Sequence, residues 1–397
     1  MGKLFTNQAF LAILFGAVVL VVFLFVALPM ISSVLHGQSY SFAAIGMPQK
    51  SGSALYRSFD RGETWKNVFP PKGESQNGAA ILDFEYHPLR SAEIVLGTRG
   101  NGLWQSPNLG IRWERILDDT GFLTEESAVY GVTYAKSNPA VLYVSADIGN
   151  GNAVLRSRNR GKTFEEIYRA TKGGGSIRRI AVDPADSNHI FLGASDGVLF
   201  ESRDGGETWR ALERFSASIR GIFMSQGDAS DFFVYLESGH VYRTEDGGGS
   251  WKEIAFGVGD EKGERAVMYI PQPEGESAAV PNFFTNPFSS GGSVYDFFAD
   301  PNDFSLLTAV TKDGVVRSFD GGETWEVVET LVRPADESGG SAATIPGRHS
   351  SIVFSLGNDF YRSDDSGITW RKKILPGEVA KLITHPADSE TLFGVVK

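Results

Sequence analysis

The sequence predicts an all-β protein: a seven-bladed β-propeller of four-stranded antiparallel blades, closed by strands from both chain ends and preceded by one transmembrane helix. Three observations predict it. A short motif recurs seven times at a spacing that suits one blade per copy. Between the copies lies a second element, two apolar runs around a Pro-containing turn. Near the N-terminus stand twenty consecutive residues without a charge, Ala9 to Leu28.

The apolar run comes first in the chain. At ~1.5 Å per residue it is long enough for a hydrocarbon core of ~30 Å, and it exceeds the ~7–15 apolar residues of a cleaved signal peptide. Lys3 is the one charge before it, so the positive-inside rule puts residues 1–8 in the cytoplasm, the span at 9–31, and everything after it outside. Residues 32–53 mix small and polar types and read as a linker. The chain has no Cys and no Asn-x-Ser/Thr sequon, which excludes a disulfide framework, a thiol nucleophile and an iron–sulfur cluster and favours a bacterial envelope. A formal net charge of −11 repels a phosphate backbone, so nucleic acid is not an expected partner.

The propeller is expected over 54–397. Its motif runs Ser58–Trp65 "SFDRGETW", Ser106–Trp113 "SPNLGIRW", Ser157–Phe164 "SRNRGKTF", Ser202–Trp209 "SRDGGETW", Thr244–Trp251 "TEDGGGSW", Ser318–Trp325 "SFDGGETW" and Ser363–Trp370 "SDDSGITW". The acid or amide falls at Asp60, Asn108, Asn159, Asp204, Asp246, Asp320 and Asp365, in steps of 42 to 51 residues with one of 74. The long step implies an insertion at about 256–292, rich in Pro, Gly and Ser and carrying "NFFTNPF", either a contact patch or a flap on the blades. Within each copy the acid or amide side chain can bond backbone N–H groups a residue or two onward, and the central Gly permits a left-handed turn. The terminal aromatic (Trp65, Trp113, Phe164, Trp209, Trp251, Trp325, Trp370) is expected between blades. The acids are scattered around a ring, so they read as architecture and not as a catalytic pair or a calcium loop.

The pattern S-x-D-x-G-x-T-W resembles the Asp-box, or BNR repeat, of sialidases, sortilin-type receptors and photosystem II assembly factors, and the resemblance covers nearly everything after residue 54. It implies a propeller fold and leaves activity open, because one fold hosts many functions.

The second element begins at Phe84, Ile180, Phe297 and Leu382. No motif follows the last copy and no such element precedes the first motif, so the terminal strands are expected to pair with the first hairpin in a composite blade, which leaves no open edge in the ring. Motif turns and Pro turns then share one face of the disc. The links between blades and the turns between second and third strands share the other, which the resemblance implies as the ligand face.

Aligned inner strands start "ILDF", "VYGV", "IRRI", "IRGI", "VYDF", "HSSI" and "VAKL", with Leu82, Tyr130, Arg178, Arg220, Tyr295, Ser350 and Ala380 at the second position. Tyr130, Arg178, Arg179, Arg220, Tyr295, Arg348 and Lys381 are therefore the candidate binding residues at the channel mouth. Guanidinium groups suit a carboxylate, a sulfate or an acidic peptide; the alternative is that they pair with Asp83, Asp296 or backbone carbonyls. The six histidines lack metal-ligand spacing, so neither a metal nor another cofactor is expected.

Two functional classes remain. A glycosidase needs an arginine cluster with a Tyr nucleophile and a carboxylate, or two acids across a cleft. The sialidase signature Phe/Tyr-Arg-Ile-Pro is missing, the nearest string being "TIPGRHS" at Thr344; Asp83 and Asp296 are available acids, and xyloglucanase modules resemble two such propellers facing across a cleft. A tethered single ring looks more like the assembly factors. The sequence reading is therefore a membrane-anchored, non-catalytic protein-binding or assembly scaffold, not an enzyme, with a glycan-binding protein or glycoside hydrolase as the alternative.

Overall fold

A computed structural model describes residues 52–71, 80–256, 294–300, 302–311, 314–328, 340–345 and 348–397. The apolar run Ala9–Leu28 and nearly all of the linker and of the insertion lie outside the described residues. Within them no helix is long and apolar enough to cross a membrane.

The described strands form seven four-stranded antiparallel sheets. Blade 1 is composite: Val379–Thr384 and Leu392–Val396 from the end of the chain pair with Ala54–Ser58 and Lys66–Phe69 from the start of the propeller. The seam runs Ala54↔Val396 through Ser58↔Leu392 without a break. It is reinforced outside the sheet by Arg61 paired with Glu390 and by Arg371 and Lys373 paired with Glu63 at 3.0 and 2.9 Å. Blades 2 to 7 are each built from consecutive strands, starting with Ala80–His87, Ala128–Tyr134, Ile177–Val182, Ile219–Met224, Val294–Asp300 and Gly340–Ile345.

Composition explains the order within a blade. The second strands, such as Ile190–Ala194 "IFLGA" and Phe232–Leu236 "FFVYL", are apolar on both sides and buried throughout. Outer strands such as Arg210–Arg214 "RALER" carry charge and face water. A sheet apolar on both faces has to be covered twice, and the ring does this with neighbouring blades. Among the described residues the core accordingly divides into seven clusters, one at each blade-to-blade contact.

One inner strand differs from the sequence reading. Blade 7 begins with Gly340–Ile345, and the string "HSSI" belongs to its second strand, Arg348–Leu356. The cause is space. A Cβ on Gly340 would lie 2.8 Å from the Ser355 carbonyl oxygen and from Val310, so the strand is written in small residues, "GSAATI", and lacks the apolar alternation of its counterparts. The string "TIPGRHS" straddles the turn: Thr344 and Ile345 close the inner strand, and Arg348 opens the next.

Candidate functional site

Six of the seven inner strands carry a β-bulge at one and the same register, which frees one residue per strand from the ladder: Leu82, Tyr130, Arg178, Arg220, Tyr295 and Ala380. These are the second-position residues of the sequence alignment. Blade 7 has no bulge there; Ser341 pairs directly with Ser355. A bulge bends its strand and re-aims a side chain, and here it does so at the rim of the channel.

Where the residue after the bulge has a polar side chain it reaches toward another blade; in blades 3 and 5 it is Gly131 and Gly221. Asp83 accepts the Val132 N–H at 2.9 Å, and Arg179 donates Nε to the Arg220 carbonyl at 2.6 Å and a terminal nitrogen to the Tyr130 carbonyl at 3.3 Å. Asp296 accepts from the Ser341 hydroxyl at 2.7 Å and from Lys381 Nζ at 2.9 Å on both oxygens. This layer laces the inner strands together. Burial raises the Asp83 carboxyl above the usual range, against the pull of Arg179 and Lys381. Two residues further on, Glu85 retains some contact with the bore but is surrounded by protein, level with Thr133, Ala181, Phe223, Phe298, Ala343 and Ile383. With so few polar neighbours, desolvation pushes it up to about 8.

At the mouth, a depression of 330 Å³ is lined by Leu82, Tyr130, Arg178, Arg179, Ser195, Ser218, Ile219, Arg220 and Glu237. Four of the seven candidate binding residues meet there, from blades 3, 4 and 5. The guanidinium of Arg178 lies 4.1 Å over the Tyr130 ring, whose hydroxyl donates to Asp147 at 2.7 Å. Arg220 sits 5.5 Å over the Tyr235 ring and reaches its hydroxyl at 3.4 Å. Arg179 is spent on backbone carbonyls. The other three lie elsewhere. Tyr295 packs into the apolar contact of blades 6 and 7, Lys381 is held by Asp296, and Arg348 starts a second strand at the far end of its blade. Sequence reasoning missed Glu237, which is exposed at the end of the second strand of blade 5; that position, where turns rise on the same face, was the available signal.

The motif turns occupy the opposite face. In each, the first hydroxyl accepts the central Gly N–H, as Ser202 does from Gly206 at 2.8 Å, and the acid or amide accepts the N–H four residues on, as Asp204 does from Thr208 at 2.9 Å. That reach is longer than the residue or two expected. The same two contacts hold Asp60, Asn108, Asn159, Asp246, Asp320 and Asp365. Hydroxyl donors Thr208, Ser250 and Thr369 hold Asp204, Asp246 and Asp365 down at about 2. Trp113 and Trp209 donate across to the preceding blade, at the carbonyls of Val68 and Ile167, while Trp65 meets Phe360, Trp251 meets Phe215 and Trp325 meets Phe256 edge-on or tilted. Phe164 lies in the contact of blades 2 and 3 and Trp370 in that of blades 6 and 7.

No family model matches the chain. Among proteins of curated name, it is 33% identical over 119 residues to the xyloglucanase Xgh74A of Acetivibrio thermocellus and 30% identical over 177 residues to a xyloglucanase of Hypocrea jecorina. These stretches cover 26% and 39% of this chain, which spans 14% and 20% of the length of those relatives. In fold it is similar to the GH74 xyloglucanase of Xanthomonas campestris, with a TM-score of 0.59 and 18% identity over 80% of this chain and 51% of that one. It is also similar to YCF48 of Cyanidioschyzon merolae, with a TM-score of 0.54 and 15% identity over 88% and 97%; YCF48 has also been seen bound to a D1 peptide. The hydrolase names of the sequence relatives overturn two expectations, that of a non-catalytic scaffold and that of a chain that is not an enzyme, and bring forward the alternative, a glycoside hydrolase.

Proposed function

We propose that the protein is a glycoside hydrolase acting on a polysaccharide of the xyloglucan type, laid across the face that carries the channel mouth. What supports this reading is the sequence shared with enzymes named xyloglucanases from a bacterium and a fungus. Cleaving a glycosidic bond takes one carboxyl that keeps its proton for the leaving oxygen and a second, ionised carboxylate that activates water or attacks the sugar. Asp83, raised by burial and next in the chain to Leu82 of the depression, suits the first role, and Glu237, exposed in the depression, suits the second. Asp296 suits neither, because Lys381 engages both of its oxygens. The apolar run at 9–31 supports a tether that holds this face outside a bacterial membrane.

Reducing ends released from xyloglucan by the full chain test the proposal. Turnover is expected, with Asp83→Asn and Glu237→Gln each lowering it by a factor of ~10² or more. Glu237 is exposed, so its variant keeps the fold. No product from xyloglucan, or full activity in both variants, would reject the reading.

A further inference from the structure

The depression at the mouth holds two cations that its own acids leave alone. Among the described residues Arg178 has a ring beneath it and no carboxylate within ion-pair distance, and Arg220 has a phenol at 3.4 Å and likewise no acid. On a chain of net charge −11, where most described surface arginines are paired, two unpaired guanidiniums on adjacent blades are unusual. Both are placed by bulges at equivalent positions of their inner strands, and each is braced by a tyrosine ring. Bracing limits the rotamer entropy that a long side chain loses on gripping a ligand. Glu237 lines the same space, and while its backbone N–H donates to the Ser218 carbonyl, its carboxylate has no hydrogen-bond partner among the described residues. The walls therefore present two planar cationic forks and one acceptor-only group.

The complement of that set is a ligand with one planar anion and several hydroxyl donors. A carboxylate takes up a guanidinium fork in a bidentate manner, and hydroxyls donate to Glu237. At 330 Å³ the space is at the small end of ligand sites, suited to a single ring and not to a length of peptide. A peptide with several acids would also set its charges against Glu237. We infer that the mouth is a subsite for a uronate, a sugar ring bearing a carboxylate, with Arg178 and Arg220 as its carboxylate-binding pair. The inference rests on the glycan reading above and narrows it to acidic polysaccharides or acidic side branches.

The test is calorimetric binding to the full chain of three probes: an oligosaccharide carrying one glucuronate, the neutral oligosaccharide of equal length, and a short Asp/Glu-rich peptide. The acidic sugar is expected to bind at least tenfold more tightly than the neutral one and to lose that advantage in the Arg178→Gln, Arg220→Gln double variant. An unchanged urea midpoint shows that the variant folds, and Lys at both positions is expected to restore affinity in part, since it returns charge without the fork. Equal affinity for both sugars, an acidic sugar bound as tightly by the double variant, or a peptide preferred over the sugars would each overturn the subsite. Binding is read without turnover, so tight uronate binding with no hydrolysis keeps the subsite and rejects the hydrolase, and hydrolysis of xyloglucan without uronate preference does the reverse.

Discussion

The two faces of the disc are written by opposite rules. On the face of the motif turns, seven loops repeat the same two hydrogen bonds with nearly the same residues. At the channel mouth, the matching position of the inner strands holds Leu82, Tyr130, Arg178, Arg220, Tyr295 and Ala380 in six blades, and no bulge residue in the seventh. Repetition marks positions that every wedge needs in order to fold. Divergence at a fixed geometry marks positions that folding leaves unconstrained.

The comparison is broken most severely on the repeated face. Gly62 has φ 87°, and a Cβ there would fall 2.2 Å from the ring of Phe360, which is fully buried across the seam of blades 7 and 1. Left-handed strain and overpacking add, so Gly62→Ala should cost roughly 3 kcal/mol, read as a fall in urea midpoint. Arg61, Leu109, Arg160 and Ser366 also take left-handed φ, each just before the central Gly of its turn; Gly takes that place in the other three turns, so Ser366→Gly, at an exposed position, should stabilise slightly.

Next in size is Glu85. Its pKa of about 8 in the folded chain stands above the 4.5 of the unfolded one, so the folded state keeps a proton that the unfolded state releases. Stability from this group is complete below about pH 4.5 and is lost as pH rises toward 8. Glu85→Gln should match the wild type at pH 4 and exceed it at pH 9 in urea unfolding. The motif acids run the other way. Asp204, at about 2 against 3.8, contributes above pH 3.8 and loses its contribution as pH falls toward 2. Asp204→Asn, which copies Asn108 and Asn159, should lose less stability over that acid range. The smallest effect belongs to the mouth: Arg178→Gln with Arg220→Gln should cost no more than ~1 kcal/mol, because neither side chain has an ion-pair partner to lose and each gives up only its contact with a tyrosine.

The split also explains what the sequence made legible. Blade number, the composite blade and the place of each turn followed from a repeat that folding requires. The inner strand of blade 7 did not, because "GSAATI" answers to the 2.8 Å clearance at Gly340 and not to amphipathic alternation. Of the candidate site, Tyr130, Arg178, Arg179 and Arg220 were legible as neighbours from their shared register. The fates of Arg179, Lys381 and Tyr295 were not, since carbonyls, Asp296 and an apolar seam claim them through contacts between blades that one chain's spacing does not encode. The functional expectation was overturned for a related reason: the regular, countable turns dominate the string, while the acids proposed for hydrolysis occur once each.

A bulge offsets its residue from the hydrogen-bonding ladder, so the side chain it carries is not chosen by the sheet. Six blades repeat that offset at one level, and where the residue faces the mouth and not a seam between blades, as at Arg178 and Arg220, the ring has posts whose occupants can be exchanged while the melting behaviour stays put. A lineage built on such a ring can change what it grasps without first rebuilding what it stands on.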